Sequence, residues 1–157
     1  MIKCVCRSWV TCLLILGAGP NASRAGSDSD VSSKQYESIQ AALDANPGKV
    51  VEVGPGDHEI NTAIRIETVG GGLVGRGRII QMDPAQPIVR INHADGATLR
   101  GLTLTRPEGR RETEFEAVIA RDSRDLSLAD LRVIDNQTRT VAVELRNCVD
   151  SEIRDCL

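Results

Sequence analysis

The 157-residue sequence predicts an all-β protein: a right-handed parallel β-helix (solenoid) with an N-terminal capping α-helix. Three observations predict it. The last third of the chain repeats itself. Val89-Arg90-Ile91-Asn92 lies over Val118-Ile119-Ala120-Arg121, and that over Val143-Glu144-Leu145-Arg146, at offsets of 29 and 25 residues (89 to 118, 118 to 143). A period of this size without an intervening helix is that of stacked coils. The strands are short, three to five residues, and Gly, Asn and Asp turns separate them. A sandwich would show longer strands joined by hairpins. Finally, aliphatic residues recur in columns, with Leu99, Leu102 and Leu104 aligned on Leu128, Leu131 and Val133. Each such side chain, once buried, contributes on the order of 1.5–3 kcal/mol. That holds a coil to its neighbour but does not hold a coil alone.

Residues 1–25 read as an export signal. Lys3 and Arg7 precede a short apolar run, Val10 to Ala18, and Ser23-Arg24-Ala25 offers a small-x-small cleavage site. The run is too short for a membrane-spanning helix, which needs about 20 residues. The expected location is therefore the periplasm or the extracellular space. Residues 26–32 are small and polar and read as a linker. A capping helix is expected over 33–46. Ser32 and Gln35 form a capping box, Tyr36, Ile39, Ala42 and Leu43 share one face, and Asn46-Pro47-Gly48 ends it. Coils are expected over 47–157. Val50-Val51-Glu52-Val53 is a strand ended by Gly54-Pro55-Gly56, and Leu73-Val74 and Arg78 to Met82 are strands around Gly75-Arg76-Gly77. The third repeat stops at Leu157, midway through a coil. The expectation is an N-terminal piece of a longer protein, because solenoid ends need capping.

Loss of the signal would remove Lys3, Arg7 and Arg24, leaving 16 basic and 22 acidic residues, a net charge of −6. That argues against nucleic acid or an anionic membrane as a general partner. Of the five cysteines, Cys148 and Cys156 would remain. Cys148 aligns with Ala94 and Ser123, and Cys156 with Leu102 and Leu131. Both are expected as buried free thiols on different sides of one coil, in preference to a disulfide.

Two segments carry a family resemblance. One runs from Ser38-Ile39-Gln40-Ala41-Ala42-Leu43-Asp44-Ala45 through Pro47-Gly48-Lys49-Val50-Val51-Glu52-Val53 to Gly54-Pro55-Gly56-Asp57-His58-Glu59-Ile60. The other is Ala97-Thr98-Leu99-Arg100-Gly101-Leu102-Thr103-Leu104. Together they resemble the N-terminal part of pectin-lyase-like proteins, over roughly residues 36–157; His58 stands where that family commonly has Tyr. The resemblance implies an exported polysaccharide lyase or glycoside hydrolase with an acidic polysaccharide as partner, and it allows calcium. The residues themselves point to no cofactor and name no reaction. The alternative is a non-catalytic repeat scaffold that binds glycans or cell-surface partners.

Candidate binding residues are arginines. Arg76, Arg78 and Arg90 form a basic group around neighbouring strands, and Arg110 and Arg111 lie in the loop 106–114 that lengthens one coil. A guanidinium holds a carboxylate in bidentate fashion, which suits a uronic-acid chain. The competing reading is a solvated strand face and a salt-bridged loop. Asp122, Asp125, Asp130, Asp135, Asp150 and Asp155 invite a calcium or paired-carboxylate site, but solenoid turns also favour Asp. Gly70 to Gly75 satisfies G-x-G-x-x-G, yet a strand follows it where a nucleotide site needs a helix, so tight turns are expected. Neither His58 nor His93 has a nucleophile or carboxylate beside it in sequence. Asn136-Gln137-Thr138 is a glycosylation sequon. After the signal only Tyr36 and Phe115 are aromatic, which argues against a developed sugar cleft.

Overall fold

A computed structural model describes residues 31–109 and 112–157. The expected signal and most of the expected linker lie outside them. The described chain is a parallel β-solenoid. A first strand, β1 (Val31–Ser32), and a 3-10 turn (Ser33–Gln35) lead into α1 (Ile39–Ala45). The first coil is β2 (Val50–Ile60) and β3 (Ile64–Ile66), and the second is β4 (Gly72–Gln81) and β5 (Val89–Asn92). The third is β6 (Thr98–Arg100), β7 (Thr103–Thr105) and β8 (Val118–Arg121). The fourth is β9 (Ser127–Ala129), β10 (Arg132–Val133) and β11 (Val143–Arg146), and β12 (Glu152–Arg154) begins a fifth turn.

Coils stack in two sheets. The larger runs β1-β2-β4-β6-β9-β12, with β7 and β10 continuing the second half of β4, and the smaller runs β3-β5-β8-β11. Its register confirms the repeat. Val51, Leu73, Leu99, Leu128 and Ile153 are successive rungs, at spacings of 22, 26, 29 and 25 residues (51 to 73, 73 to 99, 99 to 128, 128 to 153). Period-two alternation turns these residues inward, where Val51, Leu73, Leu99 and Leu128 are fully buried. Leu102 and Leu131 occupy the neighbouring inner column, again buried.

Several elements differ from expectation. The helix begins at Ile39, and its N-cap is Ser38, whose hydroxyl accepts from Ala41 N–H at 3.0 Å; Ser32 caps nothing. Val31 and Ser32, expected in the linker, form a strand that pairs with Val51 and Glu52. Helix α1 buries Ile39, Ala42 and Leu43 against the first coil, as a cap should. The two early strands run on through their glycines and bend round the corner. Glycine is required there for closeness between coils. A Cβ on Gly72 would collide with the Thr98 backbone, and one on Gly75 with the Val53 carbonyl.

Later coils turn with other residues. Asp122, Asp125, Asp130, Asp135, Asp150 and Asp155 all have φ between 50 and 54°, joined by His93 and Asn147. The register places Gly70 and Gly96 one above the other and then Asp125 and Asp150, and likewise Gly75, Gly101, Asp130 and Asp155. Asp and Asn tolerate the left-handed conformation through local hydrogen bonds, so these carboxylates are turn residues.

Candidate functional site

The outer face of the larger sheet carries the candidate site. Alternation sends two columns outward: Val50, Gly72, Thr98, Ser127 and Glu152, and Glu52, Val74, Arg100, Ala129 and Arg154. Beyond the second column the chain bends through Gly75 and Gly101. Coil one inserts one extra residue at this bend, seen as a register shift between Val53 and Gly56, and Arg76 stands out from β4 in coil two. Missing side chains at Gly75 and Gly101 hollow the bend into a groove of about 450 Å³ over Val74. Across successive coils its rim is Glu52, Arg76, Arg100 and Asp130. Arg76 and Arg100 are exposed, and neither has a carboxylate within 4.0 Å among the described residues.

The expected arginine group is thus partly dissolved and partly enlarged. Arg78 is exposed on the same strand but leans on Asp57 at 3.5 Å. Arg90 belongs to the other sheet, where it lies beside Arg65, so it is not part of a group with Arg76 and Arg78. Arg110 and Arg111 lie outside the described residues. Arg100 was not singled out by sequence. Its signal was its place in the Leu99 repeat, one residue past an inward leucine and therefore outward.

Around the long loop the structure adds a residue of a different kind. Arg106 is 1% exposed, although it opens a charged segment. Its Nε donates to Asn136 Oδ1 at 2.7 Å, Nη1 to the Asp83 carbonyl at 3.0 Å and Nη2 to the Gln86 carbonyl at 2.8 Å. Burial pushes its pKa below the ordinary value, and the charge of Asp83 opposes that. Thr113 completes the anchor by donating to the Pro84 carbonyl at 2.8 Å. The loop is pinned at both described ends, and a cavity of about 520 Å³ beside it mixes Glu112 and Glu114 with Arg139. Asn136 is consumed by this network: its amide also donates to the Phe115 carbonyl at 3.4 Å. A sequon asparagine so engaged is poorly placed for glycosylation.

The remaining candidates are structural. His58 is half-buried against the Gly54 carbonyl at 2.9 Å, and His93 is an exposed left-handed turn residue. Among the described residues, no three His, Cys, Asp or Glu side chains converge as metal ligands. Cys148 and Cys156 are free thiols, half-buried against the core. Gly70 and Gly75 have positive φ, Gly72 lies inside a strand, and strand rather than helix follows, so the phosphate-loop reading has no helix to rest on. Tyr36 packs on the core and accepts from Asn46 at 2.8 Å, and no aromatic lines either cavity. No helix among the described residues is long and apolar enough to cross a membrane.

Fold and site together define the class: a parallel β-solenoid with a charged groove on one outer sheet face. No protein-family model, curated protein or solved structure matches the chain.

Proposed function

We propose that this is an exported β-solenoid of the polysaccharide-active kind, whose described coils bind an acidic glycan without cleaving it. One observation carries the reading: Arg76 and Arg100 project from successive coils over a glycine-hollowed groove with no carboxylate partner among the described residues. Neighbouring coils are about 4.8 Å apart, so an extended chain laid along the stack meets a guanidinium on each of the two middle coils. Each is free to take a uronate carboxylate by two parallel N–H···O bonds.

The same groove argues for binding over hydrolysis. Its carboxylates, Glu52 and Asp130, sit three coils apart by register. That is about 14 Å along the stack at the usual strand spacing. Glycosidase pairs stand about 5–9.5 Å apart.

Titration of the protein with polygalacturonate and with neutral dextran tests the reading. Binding is expected for the first, weakening steeply as salt rises because exposed charges are screened beyond about 10 Å at 0.1 M. Arg76→Ala with Arg100→Ala should weaken it by at least about tenfold, the equivalent of 1.4 kcal/mol. Equal affinity for dextran, indifference to salt, or survival of the double variant would sink the proposal.

A further inference from the structure

The smaller sheet carries two in-register arginine pairs that differ in their surroundings. Register sets Arg65 beside Arg90 and Arg121 beside Arg146, each pair on neighbouring coils about 4.8 Å apart. Like charges so placed repel. In the second pair Glu144 stands between the guanidiniums. Its Oε1 meets Arg146 Nη2 at 2.5 Å, and its Oε2 meets Arg121 Nη2 at 3.9 Å. The first pair has no carboxylate within 4.0 Å among the described residues. Asp44 and Glu67 border a neighbouring hollow with Arg65, but neither comes within that distance of it.

Arg65 and Arg90 instead line a hollow of about 350 Å³ together with Gln40, Thr62, Ala63 and Gln86, with no acid among them. Its walls are held from behind. Arg65 N–H donates to Gln40 Oε1 at 2.7 Å, and Gln40 Nε2 donates to the Arg65 carbonyl at 3.3 Å, so a side-chain amide takes the place of a neighbouring strand. Gln86 is held by its backbone carbonyl, which accepts from the buried Arg106 at 2.8 Å. Its side-chain amide and the Thr62 hydroxyl are further donors beside the two guanidiniums.

We propose that this hollow binds a phosphate dianion, free or as a monoester, set between Arg65 and Arg90 as the Glu144 carboxylate is set between Arg121 and Arg146. A phosphate monoester carries a charge of about −1.5 to −2 at pH 7 and three acceptor oxygens. It therefore offsets both guanidiniums and can still accept from Gln86 or Thr62. A carboxylate offsets only one of the two charges. Arginine suits the task, because its planar fork presents paired N–H donors to such oxygens. The hollow lies on the smaller sheet and Arg76 and Arg100 on the larger, so the two sites stand or fall separately.

Isothermal titration calorimetry of the full chain at fixed ionic strength is the test, with inorganic phosphate, glucose 6-phosphate and galacturonate as probes. Circular dichroism confirms that each variant folds. Saturable binding at one site per chain is expected for phosphate or its ester, and the tighter of the two identifies the source. Galacturonate should bind at least about tenfold more weakly. Arg65→Ala with Arg90→Ala should weaken phosphate binding by at least about tenfold. Arg90→Glu, which supplies the missing acid from within the chain, should abolish it. Arg76→Ala with Arg100→Ala should leave it unchanged. No saturable binding of either phosphate, or equal affinity for galacturonate, would overturn the proposal. So would binding that survives in the Arg65 and Arg90 variants, or that is lost with Arg76 and Arg100.

Discussion

Arg106 shows how one side chain can join three coils. It reaches carbonyls of the second coil and the Asn136 side chain of the fourth while belonging to the third. Removing it empties the space of a buried side chain and takes a donor from three half-buried acceptors, of which the Asp83 carbonyl keeps the Gln86 N–H, and this is costlier than losing a surface contact. Arg106→Ala is expected to lower stability by on the order of 2–4 kcal/mol in denaturant unfolding. Arg106→Lys, with the charge but not the fork, should recover less than half of that. A loss below about 0.5 kcal/mol, the usual size of a surface change, would show the network to be incidental. The aspartates make the opposite kind of prediction. If Asp125 is present for its backbone conformation, φ 53°, then Asp125→Asn should leave the melting temperature unchanged. Asp125→Val should cost about 1–2 kcal/mol, the penalty for a left-handed β-branched residue. Calcium should not shift the wild-type melting temperature; a shift lost in Asp125→Asn would restore the metal reading. That these were turn residues was legible in sequence, since six aspartates sat at repeat boundaries. The burial of Arg106 was not, because a charged side chain in a Pro- and Glu-rich loop carries no local sign of three acceptors 20 to 30 residues away.

Among elements, the early strands and the cap carry the consequences. Gly75, with φ 141°, sits where a β-carbon would overlap the Val53 carbonyl. Gly75→Ala should therefore cost more than the roughly 1 kcal/mol of conformational preference, about 2–3 kcal/mol in all, since backbone of the first coil must move. An equally stable variant would mean that the coils can separate freely at that corner. The cap predicts a change of state instead. Deleting residues 26–46 removes Ile39, Ala42 and Leu43 from the first coil and leaves an exposed strand edge, which should aggregate. A soluble deletion product that melts like the parent would remove the capping role. The milder Ser38→Ala should cost about 1 kcal/mol, and Ser32→Ala should have no cap effect. Sequence placed the helix but misplaced its start. The pairing of Val31 with Val51, a contact across 20 residues, carries Ser32 into a strand and leaves Ser38 as the cap.

At the scale of the whole molecule, the proposal is of a charged groove that binds a glycan without cleaving it. Incubated with polygalacturonate, alginate or chondroitin, with and without calcium, the protein is expected to release no product. Sustained product formation from any of the three would place a catalytic group that the groove geometry does not contain. What the sequence determined by itself was the periodic part: coils, their offsets, the inward aliphatic columns and the helix cap. A β-strand alternates with period two, and each coil must bury its aliphatics on the next, so repetition alone implies the stack. The tertiary structure alone decided which charges meet. Arg76 and Arg100, separated by a coil of sequence, share one groove, while Arg90, read as a companion of Arg76, turned into the other sheet. The columns follow from hydrophobic burial, which local pattern encodes. The groove follows from where successive coils of unequal length bend, and that is set by contacts between coils.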